Sequence, residues 1–454
     1  MSVIHLLSSK LTAFSERWVP DPFVIAILLT FLTFGLALLF GNEISQGDPE
    51  HVILLWSQGI WRFLAFSMEM CLVLVTGHAL ATAPASKRWV DRLAQVASSQ
   101  GSAIVITALV AMTMGLINWG LGLIIGALTA REVGLSCARR GIPVHYPLLG
   151  AAGYSGLLVW HGGLSGTAPL KVTQAVNLAE LKVKQAVIPL TETTFSPLNC
   201  VLLMGVIVLV PLLLWLMAPP VDSCRAATQW VAHSGETSEH AASHADSSLA
   251  GSLDQSRWLS SAVAILILIA WYFRVNSLGV SSIDLSVINL GALGFGLLLH
   301  PSIRSYSQAA TEAASSCAGV MLQFPLYAGI MGVMSGAGLT SWLTQQVSLL
   351  ASSTTLAPLT FLMAGFVNLF IPSGGGQWAV QGPLVLESAA ALQAPPGAAV
   401  IAFAHGDAWT NMLQPFWALP LLAITHLQAR ELVGYTAALM IALLPWYLFS
   451  LWAF

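Results

Sequence analysis

Residues 22–41, 198–218, 319–339 and 432–454 contain no charged side chain. Coiled as a helix, each run is about as long as the hydrocarbon core of a bilayer is thick. Inside that core no water can pair with backbone N–H and C=O groups, so only helices or closed barrels cross it. Uninterrupted apolar runs of about 20 residues point to helices. Residues 258–273 and 285–299 are shorter runs that reach spanning length with their flanks. Charged residues make up 8% of the 454, against about 25% in a soluble protein. The chain is therefore expected to be an all-α polytopic membrane protein. The first apolar run has full spanning length and continues into "FGNEISQG", so no cleavable signal peptide is expected. No basic tract suggests nucleic acid. The five cysteines lie far apart without a CxxC, which suggests neither disulfides nor a metal site.

Charge sets the expected topology. Lys and Arg cluster at Lys10/Arg17, Lys87/Arg88/Arg92, Arg131/Arg139/Arg140, Lys171/Lys182/Lys184, Arg225/Arg257 and Arg430. With a cytoplasmic N-terminus, spans near 22–41 and 63–83 return the chain to the cytoplasm at "SKRWVDR". Treating 101–130 as a re-entrant hairpin with its tip at 118–122 keeps the next basic cluster inside as well. A broken helix over 143–169, an outer loop over 170–196 and the span 198–218 complete a first repeat, 1–218. Residues 219–257, low in complexity and rich in Ser and His, read as a flexible cytoplasmic linker. Its histidines, His233, His240 and His244, belong to that solvated stretch rather than to a metal site.

Residues 258–454 read as a second repeat. "TAPASKRW", Asn118 in "INWGLG" and "WHGGLSGTAP" recur in order as "SGAGLTSW", Asn368 in "NLFIPSGGG" and "AHGDAWTNMLQP". The second half has one extra leading span, so every matched element is reversed. The expectation is two inverted-topology repeats, with a second hairpin at about 357–390, a second broken helix at about 397–420, and about nine spans plus two hairpins. Broken helices meeting at the midplane are a secondary-transporter architecture.

The breaks suggest the chemistry. A helix start exposes unpaired N–H groups and partial positive charge, and glycine lets a ligand approach them. Ser373, Gly374, Gly375, Gly376 and Gln377 are thus suited to a carboxylate, with Asn118, Ser165 and Thr167 offered by the other half. Asp407, in an otherwise nearly uncharged stretch, is a candidate for carrying Na⁺ or a proton. His405 and His161 stand at matching motif positions and are candidate substrate contacts. Glu69 and His78 read as structural or mouth-lining, and Glu387 is left open. With no Lys or Arg in either tip or broken helix, a small monocarboxylate fits better than a polycarboxylate. Trp378 and apolar flanks would take its alkyl tail.

At "ERWVPDPFVIAILLT", "NWGLGLIIGA" and "NLFIPSGGGQWAVQGP" the chain resembles the bacterial short-chain fatty acid transporter family, along nearly its whole length. That family is similar to the ion-transporter superfamily of dicarboxylate and aminobenzoyl-glutamate carriers. The resemblance implies cation-coupled uptake across the bacterial inner membrane, an elevator-like motion and a homodimer. Sodium-coupled members place Ser-Asn-Thr clusters at their breaks. The matching residues here are Asn118 with Ser165 and Thr167, and Asn368 with Ser373, Thr410 and Asn411. These clusters are incomplete, so Na⁺ and H⁺ both stay open, and no other cofactor is expected. A membrane-embedded hydrolase is the rival from another class, since "WHGGLSG" resembles a lipase oxyanion loop, but no G-x-S-x-G elbow accompanies it. Broken helices would also suit a channel, although cyclic repetition around a pore fits a filter better than an inverted pair does. A dicarboxylate carrier of the same superfamily is the nearest rival, disfavoured by the missing cationic residue.

Overall fold

A computed structural model describes residues 3–180, 186–231, 249–278, 285–314 and 317–454, and all their regular structure is helical. In chain order the helices are α1 (Val3–Trp18), α2 (Pro22–Phe40), α3 (Pro49–Ile60), α4 (Leu64–Thr82), α5 (Pro84–Val96), α6 (Gln100–Ile117), α7 (Trp119–Arg139) and α8 (Tyr146–Tyr154). The short α9 (Thr167–Lys171) and α10 (Ala175–Glu180) precede α11 (Pro197–Leu216). Then come α12 (Leu249–Asp254), α13 (Arg257–Leu278), α14 (Leu285–Leu299), α15 (Ile303–Ala314), α16 (Ala318–Gly336) and α17 (Leu339–Leu350). The chain closes with α18 (Leu356–Asn368), α19 (Gly374–Ala391), α20 (Pro396–Thr410), α21 (Pro415–Thr425) and α22 (Ala429–Ala453).

Several of these helices begin with a capping side chain followed by proline, whose missing N–H costs nothing at a helix start. Asp21 accepts from Phe23 N–H before Pro22, Asp48 from His51 N–H before Pro49, and Ser196 from Asn199 N–H before Pro197. Among the described residues, eight helical segments are long and apolar enough to cross a membrane, which makes this a polytopic membrane protein. They include α6 and α7 counted separately, and the continuous 49–80 segment. The pair α6–α7 thus runs longer than the expected 101–130. Residues 286–299 of α14, and all of α18 and α21, are apolar but shorter than any of those eight.

Helix α16 packs against α2 and α3, whereas α4 packs against α14 and α15. Helix α7 packs on α8 and α21, and α19 on α20 and α9. Near Asn118, α6, α7 and the turn after α8 approach backbone to backbone. A Cβ on Gly122 would lie 2.6 Å from Gly115 Cα, and one on Gly115 would collide with the carbonyl oxygen of Gly156. Only glycine permits that approach. One apolar core draws on both halves, from Ala26 to Leu451.

The linker histidines and residues 232–248 lie outside the described residues. The preceding stretch, 219–231, is folded onto the protein rather than free. Arg225 reaches Glu16 at 3.0 Å and Glu431 at 3.4 Å, Trp230 Nε1 donates to Glu431 at 2.9 Å, and Ala227 is buried.

Candidate functional site

The polar stretch after α18 is a helix break. Ser373 is extended (φ −154°, ψ 100°) and caps α19, its Oγ accepting Gly376 N–H at 3.2 Å and its carbonyl accepting Gln377 N–H at 2.7 Å. Of the first four N–H groups of α19, those of Gly374 and Gly375 have no capping partner among the described residues, and the two glycines lie against the first half's break. A Cβ on Gly374 would come within 2.8 Å of Trp160 Cη2 and 2.9 Å of His161 Cε1, and one on Gly375 within 3.5 Å of Thr167 Cγ2. Trp160, buried, stacks on His161 with ring centroids 4.2 Å apart, and its indole Nε1 has no hydrogen-bond partner among the described residues.

His161 follows α8 and its 3₁₀ turn, in the irregular segment before α9. Its Nδ1 lies 2.5 Å from Asp407 Oδ2, and its Nε2 lies 3.2 Å from the N–H of Ala168. Because an N–H faces Nε2, that nitrogen is the acceptor, and the ring proton sits on Nδ1, donated to the carboxylate. Relative exposure is 0% for His161 and 1% for Asp407. Asp407 lies in α20, so this pair joins the two halves.

His405, two residues before Asp407 in α20, faces Asn199 of α11. Both Asn199 amide protons go to carbonyls, of Gly162 at 2.8 Å and Thr194 at 2.7 Å, so its Oδ1 accepts the Nε2–H of His405 at 2.8 Å. His405 Nδ1 is then a buried acceptor with no partner among the described residues. His161 and His405 are not equivalent in the fold. One follows the break of its helix and the other precedes the end of α20 at Thr410, so motif order does not translate into matched geometry.

Asn368 ends α18 beside the end of α20. Its Nδ2 lies 2.9 Å from the Asp407 carbonyl, 3.0 Å from Thr410 Oγ1 and 2.9 Å from Asn411 Oδ1. Thr410 donates to Gly365 O at 2.9 Å, and Gln414 Nε2 to Asn368 O at 2.6 Å. Tyr154, at the end of α8, donates to Asn411 O at 2.8 Å. Asn368, Asp407, Thr410 and Asn411 are therefore brought together, while Ser373, expected in the same cluster, sits apart at the start of α19.

The other break distributes its residues differently. Asn118 is extended, and its Oδ1 accepts Gly120 N–H at 2.8 Å. Leu164 N–H donates to Leu116 O at 2.8 Å, which sets the segment leading to Ser165 against the end of α6, whereas Thr167 faces Gly375. Ser165 Oγ has no partner among the described residues. Gln377, expected to present donors to a ligand, spends its amide nitrogen on Ala364 O and Gln381 Oε1, both at 2.7 Å. Trp378 is fully buried against Phe403, with centroids 4.9 Å apart, so it packs inside rather than lining a tail pocket. Lys171 closes α9, so the interrupted segment does contain a cation, where a loop was expected.

The site also draws in Trp160, Asn199, Tyr154 and Gln414, none of which the sequence patterns single out. Asn199 carries a usable signal, being an amide within an otherwise apolar span; Trp160 has only its place beside His161. A cavity of about 690 Å³ lined by residues including Asp21, Gln323, Leu419 and Arg430 involves none of the predicted site residues.

The chain matches the family described as "Short chain fatty acid transporter" over residues 3–452. It is 37% identical over 436 residues to an Escherichia coli (strain K12) protein, covering 95% of this chain and 96% of that one. It is 33% identical over 457 residues to a Haemophilus influenzae protein, covering 99% and 100%. Both are named "Putative short-chain fatty acid transporter". The crystal structure of the Alcanivorax borkumensis YdaH transporter aligns over 96% of this chain and 98% of its own, at 15% identity and a TM-score of 0.43. By its match along almost the entire length, this chain belongs to the short chain fatty acid transporter family.

Proposed function

We propose that the protein is a secondary transporter that takes up short-chain fatty acids, small monocarboxylates such as butyrate or acetoacetate, coupled to a cation. One observation carries this reading beyond family membership: Gly374 and Gly375, which open α19, lie against Trp160, His161 and Thr167. The start of an 18-residue helix, with its positive end and a buried indole N–H close by, suits one carboxylate without a formal cation.

Alternating access would follow from two inverted repeats moving about this junction in an elevator-like way. The packing supports such a relation. Exchanging α2 for α14, α3 for α15 and α4 for α16 turns the contacts of α16 with α2 and α3 into those of α4 with α14 and α15. Exchanging likewise α7 for α19 and α21 for α9 turns α7 on α21 into α19 on α9. In this reading α6–α7 and α18–α19 are opposed hairpins, the chain acts as a homodimer, and it sits in the bacterial inner membrane with a cytoplasmic N-terminus.

Counterflow in proteoliposomes tests the transporter: internal unlabelled butyrate should stimulate entry of labelled butyrate saturably. Entry unaffected by internal butyrate would refute it. Single cysteines at Ile117 and Ser373 should react with impermeant maleimide from opposite sides; labelling from one side only would remove the inverted repeat.

A further inference from the structure

We propose that the coupling ion is a proton and that its carrier is the buried pair His161–Asp407, an inference that rests on the transporter reading above. A neutral imidazole beside an ionised carboxylate is one buried negative charge, which is costly at membrane depth. A carboxylate substrate arriving at Gly374 adds a second charge of the same sign, so a cation must accompany it.

Sodium would need several oxygens. Three that converge beside Asp407, its own carbonyl, Thr410 Oγ1 and Asn411 Oδ1, surround the Asn368 amide nitrogen at 2.9–3.0 Å, and its two protons serve two of them at a time. That amide fills the place a metal ion would occupy. A proton needs one lone pair, and His161 Nε2 holds one, now turned to Ala168 N–H. A proton taken from water onto Nε2 makes an imidazolium–carboxylate pair of zero net charge. It also breaks the Ala168 contact, because donor would then face donor. Thr167, next to Ala168, abuts Gly375, so proton uptake is mechanically tied to the junction where substrate binds. One proton and one carboxylate enter together, and the site's net charge is unchanged.

Among the described residues, the titratable groups around the pair are few. Helix α20 offers His405, held by Asn199; α22 offers Tyr447, whose ring is 5.6 Å from His405, with Arg430 and Glu431 at its other end; α9 offers Lys171; α19 offers Glu387 toward its far end; α11 offers the exposed Cys200; α18 offers none.

The test uses the full chain in proteoliposomes with labelled 3-hydroxybutyrate, whose hydroxyl slows passive entry, and protein-free liposomes as background. With equal Na⁺ on both sides, an acid-outside gradient should drive accumulation with about one proton per carboxylate on an internal pH dye. A Na⁺ gradient at equal pH should drive none. His161→Gln can still accept from Ala168 and donate to Asp407 but cannot hold a proton. It should lose gradient-driven accumulation about tenfold or more while keeping exchange at equal pH. Accumulation driven by Na⁺ alone, or wild-type proton-driven accumulation in His161→Gln, overturns the proposal. Absence of exchange in the wild-type chain overturns the transporter reading itself, and this inference with it.

Discussion

Asn199 and His405 are locked together across the two halves: the imidazole Nε2–H donates to Asn199 Oδ1 at 2.8 Å, while the Asn199 amide protons hold the carbonyls of Gly162 and Thr194. One side chain thus secures α20, the interrupted segment after α8, and the loop before α11. Asn199→Leu leaves three buried partners unpaired and should destabilise the detergent-solubilised protein by about 1–3 kcal/mol. Thermal unfolding checks this, and an unchanged midpoint would show the contact to be dispensable.

The two glycines at the start of α19 should differ. A Cβ on Gly374 meets Trp160 at 2.8 Å and His161 at 2.9 Å, inside hard contact, whereas one on Gly375 meets Thr167 at an ordinary 3.5 Å. Gly374→Ala should therefore cut counterflow about tenfold or more, and Gly375→Ala by clearly less. Equal losses would mean that the close packing of α19 on Trp160 does not govern the site.

Sodium should not stabilise the protein specifically. A site binding Na⁺ with a Kd of about 1 mM would add about 2.7 kcal/mol at about 100 mM. With the Asn368 amide occupying the oxygen cluster, exchanging K⁺ for Na⁺ at that concentration should leave the unfolding midpoint in place. A Na⁺-dependent rise of several degrees would place a cation there.

His145, between α7 and α8, gives a pH signature. Its Nδ1 accepts Arg225 N–H at 3.3 Å, so Nε2–H donates to Tyr435 Oη at 3.0 Å. Burial, and then the Arg225 charge, lower its pKa to about 4. The folded state thus resists a proton that the unfolded chain accepts below about 6.5, and stability should fall as pH drops from about 6.5 toward 4. His145→Gln should flatten that part of the melting profile. An identical slope in the variant would assign the acid sensitivity to other groups.

The docked segment 219–231 makes a further testable claim. Glu431 receives Trp230 Nε1 and Gln428 N–H, both at 2.9 Å, and pairs with Arg225. Glu431→Ala should cost about 1–3 kcal/mol, mostly from the two lost neutral donors, since Arg225 is partly exposed and its ion pairs are screened. Faster proteolysis between α11 and α13 in the variant would confirm that the segment has come loose.

Apolar run length and scarce charge determined the membrane class and the helical content, because hydrocarbon admits few backbone solutions and each needs a recognisable length. The breaks at Asn118 and around Ser373 were legible for a related reason: glycine, proline and amide residues inside an apolar field disrupt a helix locally, and local effects are written in consecutive residues. The partners across the breaks were not legible. His161 pairs with Asp407, Asn199 with His405, and Trp160 stands over Gly374 although hundreds of positions separate them in the chain. Motif order even suggested the wrong correspondence, matching His161 with His405, because order along a chain carries no information about which side of a break a residue occupies. Those choices follow from how the two halves pack. A buried polar group must find its complement wherever the fold delivers one, and only the tertiary structure says where that is.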